Sequence, residues 1–196
     1  MGSRLELRIT PILMIVAFGI LFIDDWGLCL VTLLVAAMHE VGHLLAARAL
    51  HIPMGCLKLD LLGARLEIRG RMLSYGEEWL LCAAGPVCSL FLSAAAGLLW
   101  SIFPPARQFS CVSLLLGVLN LLPIRTFDGG RMLESPLAFF FGERLAEGVM
   151  RTVSFLFLFL LWAISVYFLL KVGDGLSLFC FSFSLFSRFF DELENV

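Results

Sequence analysis

Charged residues are scarce in this sequence. Asp, Glu, Lys and Arg make up 15% of its 196 residues, whereas hydrophobic residues make up 60%. Soluble domains contain about 25% charged and about 45–50% apolar residues, so the composition excludes an ordinary soluble domain and predicts a membrane protein. The basic residues form no dense patch, and we therefore expect no nucleic-acid partner.

Paired cysteines are absent as well. The six cysteines are scattered along the chain, mostly in apolar runs, and none belongs to a Cys-x-x-Cys pair. This spacing argues against a disulfide framework. It is typical of small buried hydrophobic side chains in a protein exposed to the reducing cytosol.

Long apolar runs, in contrast, are numerous. A helix of about 20 residues crosses a bilayer, so these apolar runs predict an all-α polytopic membrane protein with about six transmembrane helices. The predicted spans are Ile9–Ile23, Trp26–Leu50, Glu78–Phe103, Phe109–Pro123, Val153–Leu170 and Leu176–Phe186. The last is short and rich in Phe, so a position in the membrane interface is the alternative for it. Glu134–Met150 is predicted to form a short surface helix.

One segment between the second and third spans has a different pattern. Apolar and polar residues alternate over Leu57–Leu61 and again over Ala64–Arg69, with Leu62-Gly63 between them. Alternation on both sides of a glycine indicates a β-hairpin. We predict a small membrane-associated hairpin here.

The basic residues predict the orientation of the spans. If both termini are cytosolic, only Arg107 and Lys171 of the 14 Lys and Arg residues lie on the outer side. Cytosolic loops are enriched in Lys and Arg, so we predict a multi-pass protein with a cytosolic N-terminus and C-terminus. The end of the second span then faces the cytosol.

That end carries the sequence His39-Glu40-Val41-Gly42-His43. Residues four apart project from one face of a helix, so both imidazoles can bind one metal ion and form half of a tetrahedral zinc shell. Glu40 is close enough to take a proton from a metal-bound water. The alternative is a coincidental polar pair in an apolar helix, which would have to use two of only three histidines.

A catalytic zinc site needs a third protein ligand. His51 is about 12 Å of helix rise from His43, too far to share an ion, and we interpret it as an interfacial residue at a helix end. Asp128 is the better candidate, because it follows an apolar span and precedes Gly129-Gly130, where a tight turn can bring a carboxylate back to the helices. An ordinary turn aspartate is the alternative.

These motifs, together with Asn120-Leu121-Leu122-Pro123-Ile124, resemble the site-2 protease family of intramembrane zinc metalloproteases. The resemblance is closest to the sporulation branch, the stage IV sporulation protein FB group. It implies one Zn²⁺ held by His39, His43 and Asp128, with Glu40 as general base and acid. It also implies that Asn120 helps to hold the substrate, that Pro123 shapes the helix break, and that the hairpin guides an extended substrate.

Two positions depart from the family pattern. Ser89 stands where members often have Asn after the Gly-Pro of the third span, and Thr126-Phe127 stands where many have Pro-Leu. The first departure weakens the case for a substrate contact from the third span, and neither departure touches the metal ligands. For Gly85-Pro86 a packing kink is the simpler interpretation, and for Asn120 a helix–helix hydrogen bond is the alternative. We expect residues 1–196 to form a single domain without an appended CBS or PDZ domain.

The predicted function is that of an intramembrane zinc endopeptidase. Its expected partners are the lipid bilayer, membrane regulatory proteins and a membrane-associated pro-protein substrate, such as a sigma-factor precursor in sporulation, cleaved near the cytosolic face. The alternative is a non-enzymatic membrane protein, either a metal transporter or a catalytically silent relative that binds clients. Glu40 favours the peptidase, because neither alternative needs a general base beside the histidine pair.

Overall fold

The computed structural model describes residues 6–9, 26–52, 54–60, 63–68, 73–171 and 176–194. The chain divides into two compact units, Met1–Leu121 and Leu122–Val196. The predicted single-domain organisation stays a prediction. Nearly all of the first predicted span lies outside the described residues.

A small three-stranded sheet belongs to the first unit. Its strands are β1 (Glu6–Ile9), β2 (Met54–Asp60) and β3 (Gly63–Ile68), in the order β1-β2-β3. Strand β2 pairs in parallel with β1 and antiparallel with β3, where Leu57 lies opposite Leu66. Residues 61–62, at the turn of the predicted hairpin, lie outside the described residues, and the hairpin stays a prediction.

Three helices make up the rest of the first unit: α1 (Trp26–Ala49), α2 (Tyr75–Leu99) and α3 (Pro105–Asn120). Helix α2 begins with a capping box, in which the Ser74 hydroxyl accepts from the Glu77 backbone N–H at 3.3 Å and the Ser74 N–H donates to the Glu77 carboxylate at 3.0 Å. Proline at the first position of α3 suits a helix start because its missing N–H has no partner to lose there.

Small polar residues join α2 to α3. The Ser93 hydroxyl donates to the Ser110 carbonyl at 2.9 Å, and the Ser110 hydroxyl donates to the Ser93 carbonyl at 2.8 Å. A Cβ added at Gly117 would lie 3.2 Å from side-chain atoms of Ser89 and Leu90. Small residues allow this close approach, which is how helices pack in a lipid environment.

The second unit contains α4 (Asp128–Phe141), α5 (Glu143–Lys171) and α6 (Leu176–Glu194). The prediction of one short helix over Glu134–Met150 is wrong, because that segment belongs to two helices that meet at Gly142. Gly142 has a φ of 86°, which an L side chain rarely adopts and which ends α4. Helix α5 then starts ten residues before the predicted fifth span.

Among the described residues, three helices are long and apolar enough to cross a membrane: α1, α2 and α5. Helix α3 has 16 residues and a length of about 24 Å, less than the roughly 30 Å of a hydrocarbon core. The six predicted spans therefore stay a prediction. Polarity is distributed as in a membrane protein, since fully buried positions include serines while many large apolar side chains are exposed, among them Leu30, Phe91, Leu156 and Leu160.

Candidate metal centre

Helix α1 presents two histidine side chains one turn apart. His39 is buried, with 4% of its surface exposed, and His43 is half-buried. Their Nε2 atoms lie 3.3 Å apart, and the two rings are nearly perpendicular at 78°. The pair thus directs two nitrogen atoms at one small volume.

The other nitrogen of each ring is held by helix α2. His43 Nδ1 lies 2.8 Å from the Leu81 carbonyl oxygen. A carbonyl can only accept, so Nδ1 carries the proton and neutral His43 has its lone pair on Nε2. His39 Nδ1 lies 2.9 Å from the Ser89 hydroxyl, a group that either accepts or donates. Helix α2 therefore orients both rings through Nδ1 and leaves both Nε2 atoms directed at each other.

This geometry fits zinc. With Zn–N bonds of about 2.0–2.1 Å, two nitrogens of a tetrahedral shell are separated by about 3.3–3.4 Å. The measured separation of the Nε2 atoms is 3.3 Å. Histidine ligands of metal ions commonly donate their second ring N–H to a carbonyl or another polar group, as His43 does with Leu81. The histidine pair fits two positions of a tetrahedral site.

Gly85 on α2 provides the space beside these nitrogens. A Cβ at this position would overlap His43 Nε2 and would lie only 2.6 Å from His39 Nε2. Leu81, Gly85 and Ser89 are spaced four residues apart and therefore lie along one face of α2. Leu81 holds His43, Gly85 leaves room for the two Nε2 atoms, and Ser89 holds His39.

The two helices approach closely beside this face. A Cβ at Gly42 would lie 2.8 Å from both the Ala84 carbonyl oxygen and the Cys88 Cβ. The Cys88 thiol also donates to the Met38 carbonyl at 3.4 Å. Gly42, inside the histidine motif, is thus what lets α1 lie against α2 at the distance that the two histidine hydrogen bonds require.

Glu40 and Asp128 supply carboxylates. Glu40 follows His39 on α1 and is half-buried. Asp128 is the first residue of α4 and is also half-buried. A negatively charged oxygen ligand suits zinc.

The segment before Asp128 is firmly packed within the second unit. Ile124 is 1% exposed, and its carbonyl accepts from the Phe127 N–H at 2.8 Å. The Arg125 N–H donates to the Ser154 hydroxyl at 3.0 Å, and its guanidinium forms an ion pair with Glu134 at 2.9 Å. These bonds tie the segment to both α4 and α5.

Glycine is required two residues after Asp128. A Cβ at Gly130 would overlap the backbone carbonyl of Ile124 and lie 2.7 Å from the Arg125 Cα. Backbone atoms cannot move aside as a side chain can. The absence of a side chain at Gly130 therefore lets α4 begin directly against its own preceding segment, which fixes where Asp128 stands in the second unit.

One group of three side chains among the described residues has the composition of a metal site. It consists of His39 and His43, which belong to the first unit, and Asp128, which belongs to the second unit. Two imidazoles and one carboxylate are a donor set that catalytic zinc sites use, with the fourth position left for water.

Comparison with known proteins finds similarity over part of this chain. Residues 84–164 match the model of peptidase family M50. The protein Rip3 of Mycobacterium tuberculosis is 30% identical over 121 residues, which cover 57% of this chain and 31% of Rip3. The zinc metalloprotease MJ0392 of Methanocaldococcus jannaschii is 27% identical over 150 residues, 70% of this chain and 44% of that protein. Over these stretches the chain is similar to peptidase family M50 and to these two proteins.

The chain spans less than half the length of these two relatives. A solved structure of a site-2 protease from Methanocaldococcus jannaschii has a TM-score of 0.68 and 18% identity, covering 98% of this chain and 93% of that one. At this identity the likeness concerns the fold.

The remaining residues that the resemblance to site-2 proteases singled out lie near the end of α3. Asn120 is its last residue, and its amide donates to the Leu116 carbonyl one turn back at 3.1 Å. Pro123 follows in the segment before α4 and is half-buried. Their roles toward a substrate stay predictions. His51 is exposed beyond the end of α1, with a φ of 53°.

Sequence reasoning did not find the supporting residues on α2. From the sequence alone, Ser89 is a departure from the site-2 protease pattern and Gly85 is part of a kink. The available signal was the four-residue spacing of Leu81, Gly85 and Ser89, which matches the spacing of His39 and His43. This spacing indicates contact with the two histidines only if α1 and α2 pack side by side, and the sequence alone does not show that they do.

Proposed function

We propose that this protein is an intramembrane zinc endopeptidase. The observation that carries the proposal is the 3.3 Å separation of the two histidine Nε2 atoms, with the second nitrogen of each ring held by α2. That arrangement fits one edge of a tetrahedral zinc shell and directs both histidines at one ion. A location in apolar helices α1 and α2 favours substrates that are themselves in or at the membrane.

His39, His43 and Asp128 would hold the ion, and one ion suffices for this donor set. When bound, zinc supplies a Lewis acid that polarises a carbonyl and lowers the pKa of water to about 7. The protein's part is to fix the three ligands and to exclude bulk water. Gly85 and Ser89 contribute to the first task by their positions beside the imidazoles.

Glu40 is the proposed general base and acid. It is next to one ligand in the chain, and its carboxylate can accept a proton from the attacking water and return it to the leaving amine. Asn120 is proposed to hold the substrate and Pro123 to shape the backbone beside it. The Asn120 amide already donates to its own helix, so its amide oxygen is the atom proposed to accept from the substrate backbone.

The proposed substrate is a membrane-associated pro-protein, cleaved near the cytosolic face. A transmembrane helix encloses its carbonyls in hydrogen bonds and must unwind before any peptide bond can be attacked. The sheet formed by β1, β2 and β3 offers edges on which an unwound segment could pair as an added strand. By resemblance to the sporulation branch, we further propose a sigma-factor precursor as substrate, with both termini of the enzyme in the cytosol.

Replacing Asp128 tests the ligand set. Asp128→Ala is expected to lower zinc affinity by at least 100-fold and to abolish cleavage of a co-expressed membrane-tethered substrate, because two imidazoles alone hold zinc weakly. Zinc content and affinity are measured on purified protein by metal analysis and chelator competition. Glu134→Ala, on the same helix, removes the Arg125 ion pair but no proposed ligand, and it should keep its zinc.

Full zinc affinity in Asp128→Ala would contradict the proposed ligand set. Purified wild type without bound zinc, combined with metal uptake into vesicles that contain the protein, would contradict the peptidase and favour a transporter. Bound zinc without cleavage of any membrane-tethered substrate tried would favour a silent relative that binds clients.

A further inference from the structure

We propose that Ser89 is a positioning residue for His39 that serves this histidine in either of its neutral tautomers. The proposal rests on the proposed function, because it concerns how the protein prepares His39 to bind zinc. Its evidence is the 2.9 Å contact between the Ser89 hydroxyl and His39 Nδ1. Ser89 does not touch the proposed reacting atoms and acts only through His39.

The two histidines are held by partners of different chemistry. The Leu81 carbonyl can only accept, so it restricts His43 to the tautomer with a proton on Nδ1. The Ser89 hydroxyl can accept from His39 Nδ1–H or donate to an unprotonated Nδ1. One ring is thus fixed, whereas the other keeps a hydrogen bond whichever nitrogen carries its proton.

The short distance between the two Nε2 atoms explains why His39 needs a partner that can both donate and accept. With His43 Nε2 presenting a lone pair at 3.3 Å, His39 Nε2 can either donate a proton to it or share a cation with it. Donation requires the proton on His39 Nε2, and sharing a cation requires it on Nδ1. The Ser89 hydroxyl satisfies Nδ1 in both cases, so His39 can change tautomer without rotating its ring or losing its partner.

Burial makes the partner necessary. Ser89 is completely buried and His39 is 4% exposed, so bulk water does not reach Nδ1 in the wild-type protein. A buried polar group left without a partner costs about 1–3 kcal/mol. Loss of the Ser89 hydroxyl removes the group that lies 2.9 Å from Nδ1 and accepts its proton when Nε2 binds a cation. Loss of the hydroxyl should therefore weaken zinc binding specifically.

Ser93 provides a matched control on the same helix. It lies one turn beyond Ser89, is 6% exposed, and donates a 2.9 Å hydrogen bond to the Ser110 carbonyl of α3. Ser93→Ala therefore removes one hydroxyl and its hydrogen bonds to Ser110 on the neighbouring helix, whereas Ser89→Ala removes a hydroxyl bonded to a histidine. Any effect that arises from helix packing alone should be equal in the two variants.

The experiment compares Ser89→Ala and Ser93→Ala in the purified full chain, with His39→Ala as reference. We expect Ser89→Ala to bind zinc about 10–100-fold more weakly than wild type in chelator competition, the usual loss when a partner of a metal ligand is removed. The visible spectrum of bound Co²⁺ should also change in this variant, because the His39 ring is no longer held. Ser93→Ala should keep wild-type affinity and spectrum, while both serine variants lose similar thermal stability.

Wild-type zinc affinity and Co²⁺ spectrum in Ser89→Ala would overturn the inference, and so would equal losses of affinity in Ser89→Ala and Ser93→Ala. His39→Ala separates this failure from failure of the proposed function. If His39→Ala loses zinc and Ser89→Ala does not, only the positioning role is refuted. If His39→Ala binds zinc like wild type, the proposed metal site itself is wrong.

Discussion

Glu40→Gln is expected to abolish proteolysis while leaving zinc bound. Glutamine has almost the same shape as glutamate but cannot accept a proton, and a positioned general base contributes about 10²–10⁴-fold to a rate. His39 and His43 keep their contacts with α2, because neither contact involves residue 40. Cleavage of a co-expressed membrane-tethered substrate and the zinc content of the purified variant are the two measurements.

The control for Glu40→Gln is Glu147→Gln, which makes the same chemical change on α5. Glu147 forms ion pairs of 3.6 Å with Arg125 and Arg151, so the control also loses one negative charge from a partly buried position. It should cleave at close to the wild-type rate. Unchanged cleavage by Glu40→Gln would refute Glu40 as the base. Loss of zinc from that variant would show a structural role instead.

Gly85→Ala is expected to weaken zinc binding strongly with the fold retained. The added methyl group would overlap His43 Nε2 and approach His39 Nε2 to 2.6 Å, so both rings must turn away from the position that suits a shared ion. Imidazole rings at the end of side chains can move, so the helices need not separate. We expect zinc affinity to fall by at least 100-fold, more than after loss of a single supporting partner.

Gly76→Ala is the matched control for Gly85→Ala. It makes the same substitution on the same helix, where a Cβ would meet nothing within 4 Å. Gly76 is the second residue of the helix, and the added methyl group has open space there, so this variant should keep wild-type stability and bind zinc normally. Chelator competition and thermal unfolding of both variants provide the comparison. Normal zinc affinity in Gly85→Ala would contradict the position assigned to the ion.

The local parts of the site could be predicted from the sequence. Helical spacing alone indicated that His39 and His43 share a face, and their Nε2 atoms do lie 3.3 Å apart. Apolar runs indicated helices close to the observed α1 and α2. Both predictions depend on neighbours in the chain, where the geometry of a helix fixes the distances.

Features that depend on distant segments could not be predicted. Ser89 is 50 residues from His39 in the chain, and nothing in a single sequence states which face of α2 meets α1. Strand β1 was missed for the same reason, because its parallel partner β2 lies far along the chain and four residues give too short a pattern. The break at Gly142 was missed because glycine inside a helical pattern is often tolerated.

X-ray absorption at the zinc edge of the purified wild-type protein tests the proposed metal centre most directly. Two imidazoles and a carboxylate should give a first shell of nitrogen and oxygen atoms only, at about 2.0–2.2 Å, with imidazole scattering beyond it. A sulfur ligand at about 2.3 Å would show that cysteine holds the metal instead. That result, or a protein that retains no zinc, would contradict a site built from His39, His43 and Asp128.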